Sequence, residues 1–316
     1  MRQHEGDVPV VARRGTAPIA FEEREARVLG YRMRYLTGGT GEPVLLLHGL
    51  ADCKESWQRL LPALARRHRV YAPDMLGCGA SEKPPITYSL WAMAAYMRHF
   101  LDAVGIESAN IVGHSLGGGL ALHLYIQYPE RVRRLALLAS GGLGRHLPLS
   151  LRLCTLIGSS PVIGALLASR HTQHPAARLG HTLLGRLWPA TALADTAETF
   201  GGSALIADQA RAAAEESDIL ERLRDPATRA AFLRMLRDVG DIRGQRTNAL
   251  EVLDTIGVPV LLIHGAQDTV IPLAHGEAAR ARLRDGRLEV LEDCGHCPHR
   301  EAPARVSHLL ESFFGA

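Results

Sequence analysis

The sequence predicts an α/β protein: a parallel sheet with helices on both faces, opened in its second half by a helical insertion. Three observations carry this. Continuous apolar runs, Pro43-Val44-Leu45-Leu46-Leu47-His48 and Val258-Pro259-Val260-Leu261-Leu262-Ile263-His264, read as strands buried on both faces. Helical periodicity alternates with such runs, the pattern of a parallel sheet. Between about residues 141 and 248 the alternation stops and no convincing core strand is found.

The elements follow in order. Residues 1–20 form a lead-in without periodicity, expected to be flexible. Residues 26–37 alternate in part and predict an antiparallel edge hairpin. After the strand 43–48, Trp57, Leu60, Leu61 and Leu64 recur at helical spacing. A short strand at 69–73 leads to the Gly-rich loop Asp74–Ser81. That loop lacks the Lys and spacing of a phosphate-binding loop and reads as a structural turn. A helix at 89–104 precedes a strand at 108–113, and a further strand is expected at 132–139. The insertion spans 143–247, and core segments of 21–142 and 248–316 flank it. The second core segment is expected to hold a strand to residue 264, a helix at 274–284, a strand at 287–291 and a helix at 302–314.

Composition excludes several classes. The chain has 316 residues, 36 Lys+Arg against 33 Asp+Glu and a net charge of +3, too balanced for a nucleic-acid partner. Five scattered cysteines do not make a disulfide framework. Residues 1–7 carry charges and no apolar core, so a secretory signal is not expected and the expected location is cytoplasmic. Residues 147–168 hold one charge, Arg152, but Pro148, Gly158 and Pro161 interrupt them. Two short lid helices over an apolar pocket are expected there, not stable membrane insertion.

The chemistry is expected around Gly113-His114-Ser115-Leu116-Gly117, a G-x-S-x-G between an apolar strand and a helix. A sharp turn there would expose the Ser115 hydroxyl above the sheet. A serine hydroxyl is a weak nucleophile and needs a base, and the base needs an orienting acid. In this geometry the acid follows the serine in sequence and the base follows the acid. Asp268, just after the strand ending at His264, is the candidate acid, with Asp293 the weaker rival. His296, after Gly295 in the last loop, is the candidate base. His299 is expected to cap or pack, and His114 to pack or hydrogen-bond under the turn. Two backbone amides should receive the oxyanion of the attacked carbonyl: Leu116, after the nucleophile, and Leu50, after His48-Gly49. Cys294-Gly295-His296-Cys297 has the letters of a redox motif, but neither a thioredoxin-like domain nor a second Cys/His pair accompanies it.

These stretches together resemble the α/β-hydrolase superfamily: His48-Gly49, Asp74–Ser81, Gly113–Gly118, Gly265–Pro272 with Asp268, and Gly295-His296. The resemblance implies an eight-stranded, mostly parallel sheet with a helical cap over the active site, and hydrolysis through an acyl-enzyme with no cofactor; from the cysteine and histidine spacing, no metal site is expected. Ser115 stands where epoxide hydrolases and haloalkane dehalogenases carry an Asp nucleophile, which argues against both. Meta-cleavage carbon–carbon hydrolases share the Ser elbow. They usually carry G-x-G-P-G-A after the first strand and a Trp after the catalytic His. Here Gly49-Leu50-Ala51-Asp52-Cys53-Lys54 and Cys297 stand in those places. The expectation is therefore a carboxylesterase or lipase-like serine hydrolase acting on small apolar esters. Carbon–carbon hydrolysis, cofactor-free perhydrolysis and a non-enzymatic small-molecule receptor on the same fold are the alternatives.

Overall fold

The computed structural model describes residues 19–156 and 222–315. Residues 1–18 of the expected lead-in, much of the expected insertion and Ala316 lie outside them.

Eight strands form one sheet: β1 (Phe21–Val28), β2 (Tyr31–Gly38), β3 (Glu42–Leu47), β4 (His68–Pro73), β5 (Ala109–His114), β6 (Val132–Leu138), β9 (Val260–Gly265) and β10 (Gly286–Leu291). Their spatial order is β1-β2-β4-β3-β5-β6-β9-β10. From β4 to β10 every pairing is parallel, and β2 runs antiparallel to both neighbours. The hairpin expected at 26–37 is longer than its apolar alternation, because charged residues 22–25 also pair across to 34–37. A separate two-stranded ribbon, β7 (Gly240–Asp241) with β8 (Gly244–Gln245), lies outside the main sheet.

Alternation of side chains across the central strands builds two cores. Leu45, Leu47, Ile111, Leu135, Leu137 and Leu262 face one layer. Val44, Leu46, Val112, Leu138, Leu261 and Ile263 face the other. Helix α2 (Leu90–Ala103) covers the first face with Met93, Met97, Phe100 and Leu101, and helix α3 (Leu116–Gln127) adds Leu120 and Leu124. Ser89 caps α2 by accepting the Ala92 amide at 3.3 Å. The second face is covered by one-turn helix α1 (Leu61–Leu64) and by the last helix, Pro303–Phe314, through Val306, Leu309, Leu310 and Phe314. The helix expected from Trp57 is broken. A 3₁₀ turn spans Lys54–Trp57, and α1 begins only at Leu61, with Pro62 in its first turn.

The described ends of the 143–247 segment form helices at Leu149–Leu156 and Pro226–Val239. Leu151, Leu223, Phe232, Leu233 and Leu236 make a small core of their own. Asp238 fastens the second helix to the main body by accepting the Tyr88 amide at 2.5 Å. Among the described residues no helix is long and apolar enough to cross a membrane.

Backbone packs closely against backbone where α3 leaves β5. A Cβ at Gly117 would sit 2.1 Å from the Leu47 carbonyl oxygen and 2.6 Å from that of His48. Both are backbone atoms of the central strand region and cannot swing aside. Gly117→Ala is expected to lower unfolding free energy by about 1–3 kcal/mol or more, read as the urea midpoint. Gly257→Ala, at an exposed position whose Cβ would meet only the Tyr125 hydroxyl at 3.5 Å, is the control. It should stay within about 0.5 kcal/mol.

Candidate active site

Ser115 sits between the end of β5 and the start of α3 with φ 52° and ψ −117°. A non-glycine residue at positive φ is strained by roughly 1–3 kcal/mol and persists only where its surroundings fix it. Here its amide donates to the Leu138 carbonyl at 3.0 Å, and its carbonyl accepts from the Gly118 and Gly141 amides at 3.0 and 2.8 Å. The close packing of Gly113 against Gly117 leaves no room for a side chain, since a Cβ at Gly113 would lie 2.3 Å from the Gly117 oxygen.

Two side chains from distant parts of the chain line up on Ser115. His296 Nε2 is 3.0 Å from Ser115 Oγ, and His296 Nδ1 is 2.9 Å from Asp268 Oδ2. A carboxylate can only accept, so Nδ1 carries the hydrogen and Nε2 presents a lone pair to the serine hydroxyl. Asp268 is fixed in turn: its Oδ1 accepts the Val270 and Ile271 amides at 2.8 and 2.9 Å. His264 Nε2 donates to the Ile271 carbonyl at 2.8 Å and lies 3.4 Å from Asp268 Oδ2. Burial alone would push the Asp268 carboxyl up. The charge of His296 and hydrogen bonds from His264, His296 and the Ile271 amide outweigh it and hold Asp268 well below the usual carboxylate range. Asp293, the rival acid, is exposed, whereas Asp268 is paired with His296.

The other expected residues have distinct places. Leu116 is the first residue of α3, so its amide is among those a helix leaves without an internal acceptor. Leu50 follows Gly49 in the loop after β3, and both leucines line the cavity over Ser115. The apolar wall continues with Leu147, Leu151, Leu236 and Val239, from the described parts of the 143–247 segment. His114 Nε2 donates to the His296 carbonyl at 2.8 Å, tying the Ser115 turn to the last loop. His299 is fully buried, with its ring 4.4 Å from His114 and 4.7 Å from Trp57. Cys294 and Cys297 are buried free thiols, and burial pushes both well above the usual thiol range. Asp74, in the Gly-rich loop, accepts the Lys54 and Ala80 amides at 2.7 Å each.

Three further residues hold the site together without having stood out in the sequence. Glu301 accepts the Gly295 amide at 2.6 Å and the Cys297 amide at 2.8 Å, so its carboxylate brackets His296. Its position four residues past Cys297, at a helix start where acidic side chains meet free amides, is the only local signal for it. Asp52 and Arg300 form a buried ion pair at 2.5 Å. Nothing in the sequence links residues this far apart. Asp52, His114 and His299 also lie close enough together to suggest a cation site. The donor chemistry does not fit one: the only carboxylate is already neutralised by a guanidinium, and His114 spends Nε2 on a carbonyl.

Comparison with known proteins agrees with this architecture. A family model described as the alpha/beta hydrolase fold matches residues 42–303. An uncharacterised protein of Mycobacterium tuberculosis (strain ATCC 25618 / H37Rv) is 35% identical over 301 residues, covering 95% of this chain and 82% of its own. The 2-hydroxymuconate semialdehyde hydrolase of Pseudomonas putida is 30% identical over 300 residues, covering 92% of this chain and 93% of its own. Among solved structures, an esterase from Rhodococcus sp. ECU1013 superposes with a TM-score of 0.69 at 24% identity, over 93% of this chain and 98% of the esterase.

His114 is held neutral by burial and the neighbouring His296, its pKa pushed down to about 3, and His299 is driven well below its usual range by burial and by His114. The unfolded chain titrates these rings near pH 6.5. Below that pH the unfolded state therefore binds protons that the native state refuses, and stability falls with falling pH. His299→Phe removes one such site. The variant is expected to lose up to about 1.4 kcal/mol per pH unit of that slope between roughly pH 6 and pH 4, read from urea denaturation across the range.

Proposed function

Because the chain belongs to the alpha/beta hydrolase fold family, we propose that it is a serine hydrolase cleaving carboxylic esters with apolar groups, through an acyl intermediate on Ser115. The observation that carries this reading is the continuous hydrogen-bonded line from Asp268 through His296 to Ser115, beneath an apolar cavity. As the Ser115 oxygen attacks the carbonyl, His296 Nε2 takes its proton. Asp268 keeps the imidazole in the needed tautomer and stabilises the imidazolium. The Leu50 and Leu116 amides receive the oxyanion. His296 then protonates the leaving alcohol, and water repeats the sequence to release the acid.

The cavity wall favours a neutral, apolar acyl or alcohol group. Among the described residues that line it there is no Lys or Arg, and Asp52 is its one acid. A carboxylate-bearing substrate would lose hydration there with no cation to offset the loss. A second reading has its own support. The Pseudomonas putida relative, 30% identical, is a 2-hydroxymuconate semialdehyde hydrolase, so carbon–carbon cleavage by the same serine is the competitor.

Hydrolysis of p-nitrophenyl butyrate and fluorophosphonate labelling test the proposal. Ser115→Ala is expected to lose about 10⁴- to 10⁶-fold in kcat and all labelling. Asp268→Asn should keep KM and lose about 10⁴-fold in kcat, because the imidazole then adopts the wrong tautomer. Turnover of 2-hydroxymuconate semialdehyde without turnover of the ester would favour the competitor. Ester turnover that survives Ser115→Ala would refute the mechanism.

A further inference from the structure

The Asp52–Arg300 pair joins the two loops on which the proposed reaction depends. Asp52 stands two residues after Leu50, on the loop that would supply one oxyanion donor. Arg300 stands four residues after His296. The two side chains meet at 2.5 Å although 248 positions apart in sequence, and both residues are buried, at 6% and 8% exposure. Each end is anchored. Asp52 Oδ1 also accepts the Cys53 amide at 2.8 Å, fixing the carboxylate to its own loop. The Arg300 carbonyl accepts Arg59 Nη1 at 2.5 Å, fixing its backbone to the segment before α1. Asp52 lines the same cavity as Leu50, Ser115 and His296.

A buried ion pair is a poor device for stability, because desolvating both charges offsets most of their attraction, and an apolar pair of similar size often does as well. What it supplies is a fixed distance and direction between two backbones. We propose that Arg300, through Asp52, is a positioning residue that sets the loop bearing the Leu50 amide against the loop bearing His296. The inference rests on the serine-hydrolase reading. In that reaction the base must take a proton while the amide meets the new oxyanion, so both loops must be in register with Ser115 at once. A misplacement near 1 Å in such an arrangement costs on the order of 100-fold. Substrate binding, which uses the apolar wall, does not share this demand.

The test is a cycle of Arg300→Met, Asp52→Asn and the double variant in the full-length protein. It reads kcat and KM for p-nitrophenyl butyrate, and the affinity of a phenylboronic acid, whose tetrahedral adduct with the serine places an oxygen where the oxyanion forms. Each single variant should lose about 10- to 100-fold in kcat and a similar factor in boronate affinity, with KM changed less than about threefold. The double variant should be no slower than the slower single, because one interaction has been removed either way. It buries no lone charge, so it carries the test if a single variant fails to fold. Arg300→Lys, which keeps the charge and loses the fork, should recover part of the rate. The inference is overturned if the folded double variant keeps wild-type kcat, if the two single losses multiply, or if KM rises with kcat unchanged. Fluorophosphonate labelling of wild-type Ser115 separates the two levels. Labelled wild type with an unimpaired double variant overturns this inference alone, whereas unlabelled wild type overturns the serine-hydrolase reading and this inference with it.

Discussion

The close approach of α3 to the central strands is the constraint on which the rest of the structure depends. Ser115 can hold φ 52° only because the chain enters from β5 and leaves into α3 with no side chains between them. Gly113, Gly117 and Gly118 clear that space, and a Cβ at Gly118 would fall 2.3 Å from the Ser140 hydroxyl. The strain is held by backbone hydrogen bonds to Leu138, Gly118 and Gly141, which belong to neighbouring elements. The serine hydroxyl is thus aimed by the sheet itself.

Around that turn the sheet works as a frame for loops. The parallel strands β3, β5 and β9 all end on the same edge, so the loops that follow them open together. One carries Leu50 and Asp52, one carries Ser115 and one carries Asp268. The loop after β10 adds His296. Each loop is tied to another by a polar contact: His114 to the His296 carbonyl, His296 to Asp268, Arg300 to Asp52. Buried polar groups are costly unless paired, so these ties fix one arrangement out of many. The protonation pattern agrees, with Asp268 kept ionised and His114 kept neutral.

Much of the fold was legible in the sequence because its signals are local. The runs at 43–48 and 258–264 can be satisfied only by strands covered on both sides, and they form β3 and β9. The residues brought together at Ser115 were legible because the elbow, the loop after β9 and the last loop each carry their own punctuation, at Gly113 and Gly117, at Gly265 and at Gly295. The broken helix after Trp57 was less legible, because helical spacing at Trp57, Leu60, Leu61 and Leu64 also suits a 3₁₀ turn followed by one α turn.

Hydrophobic periodicity and glycine placement, then, determined by themselves the buried strands β3 and β9, the sharp turn at Ser115 and the glycine-punctuated loops that carry Asp268 and His296, since each depends on residues a few positions apart. The tertiary structure decided that Asp268 and not Asp293 lies against His296, that the His114 ring packs tilted between those of His296 and His299, and that Asp52 meets Arg300. Those contacts join residues from about 30 to about 250 positions apart. No local pattern records such a distance, because it is set by how strands far apart in the chain come to lie side by side in the sheet.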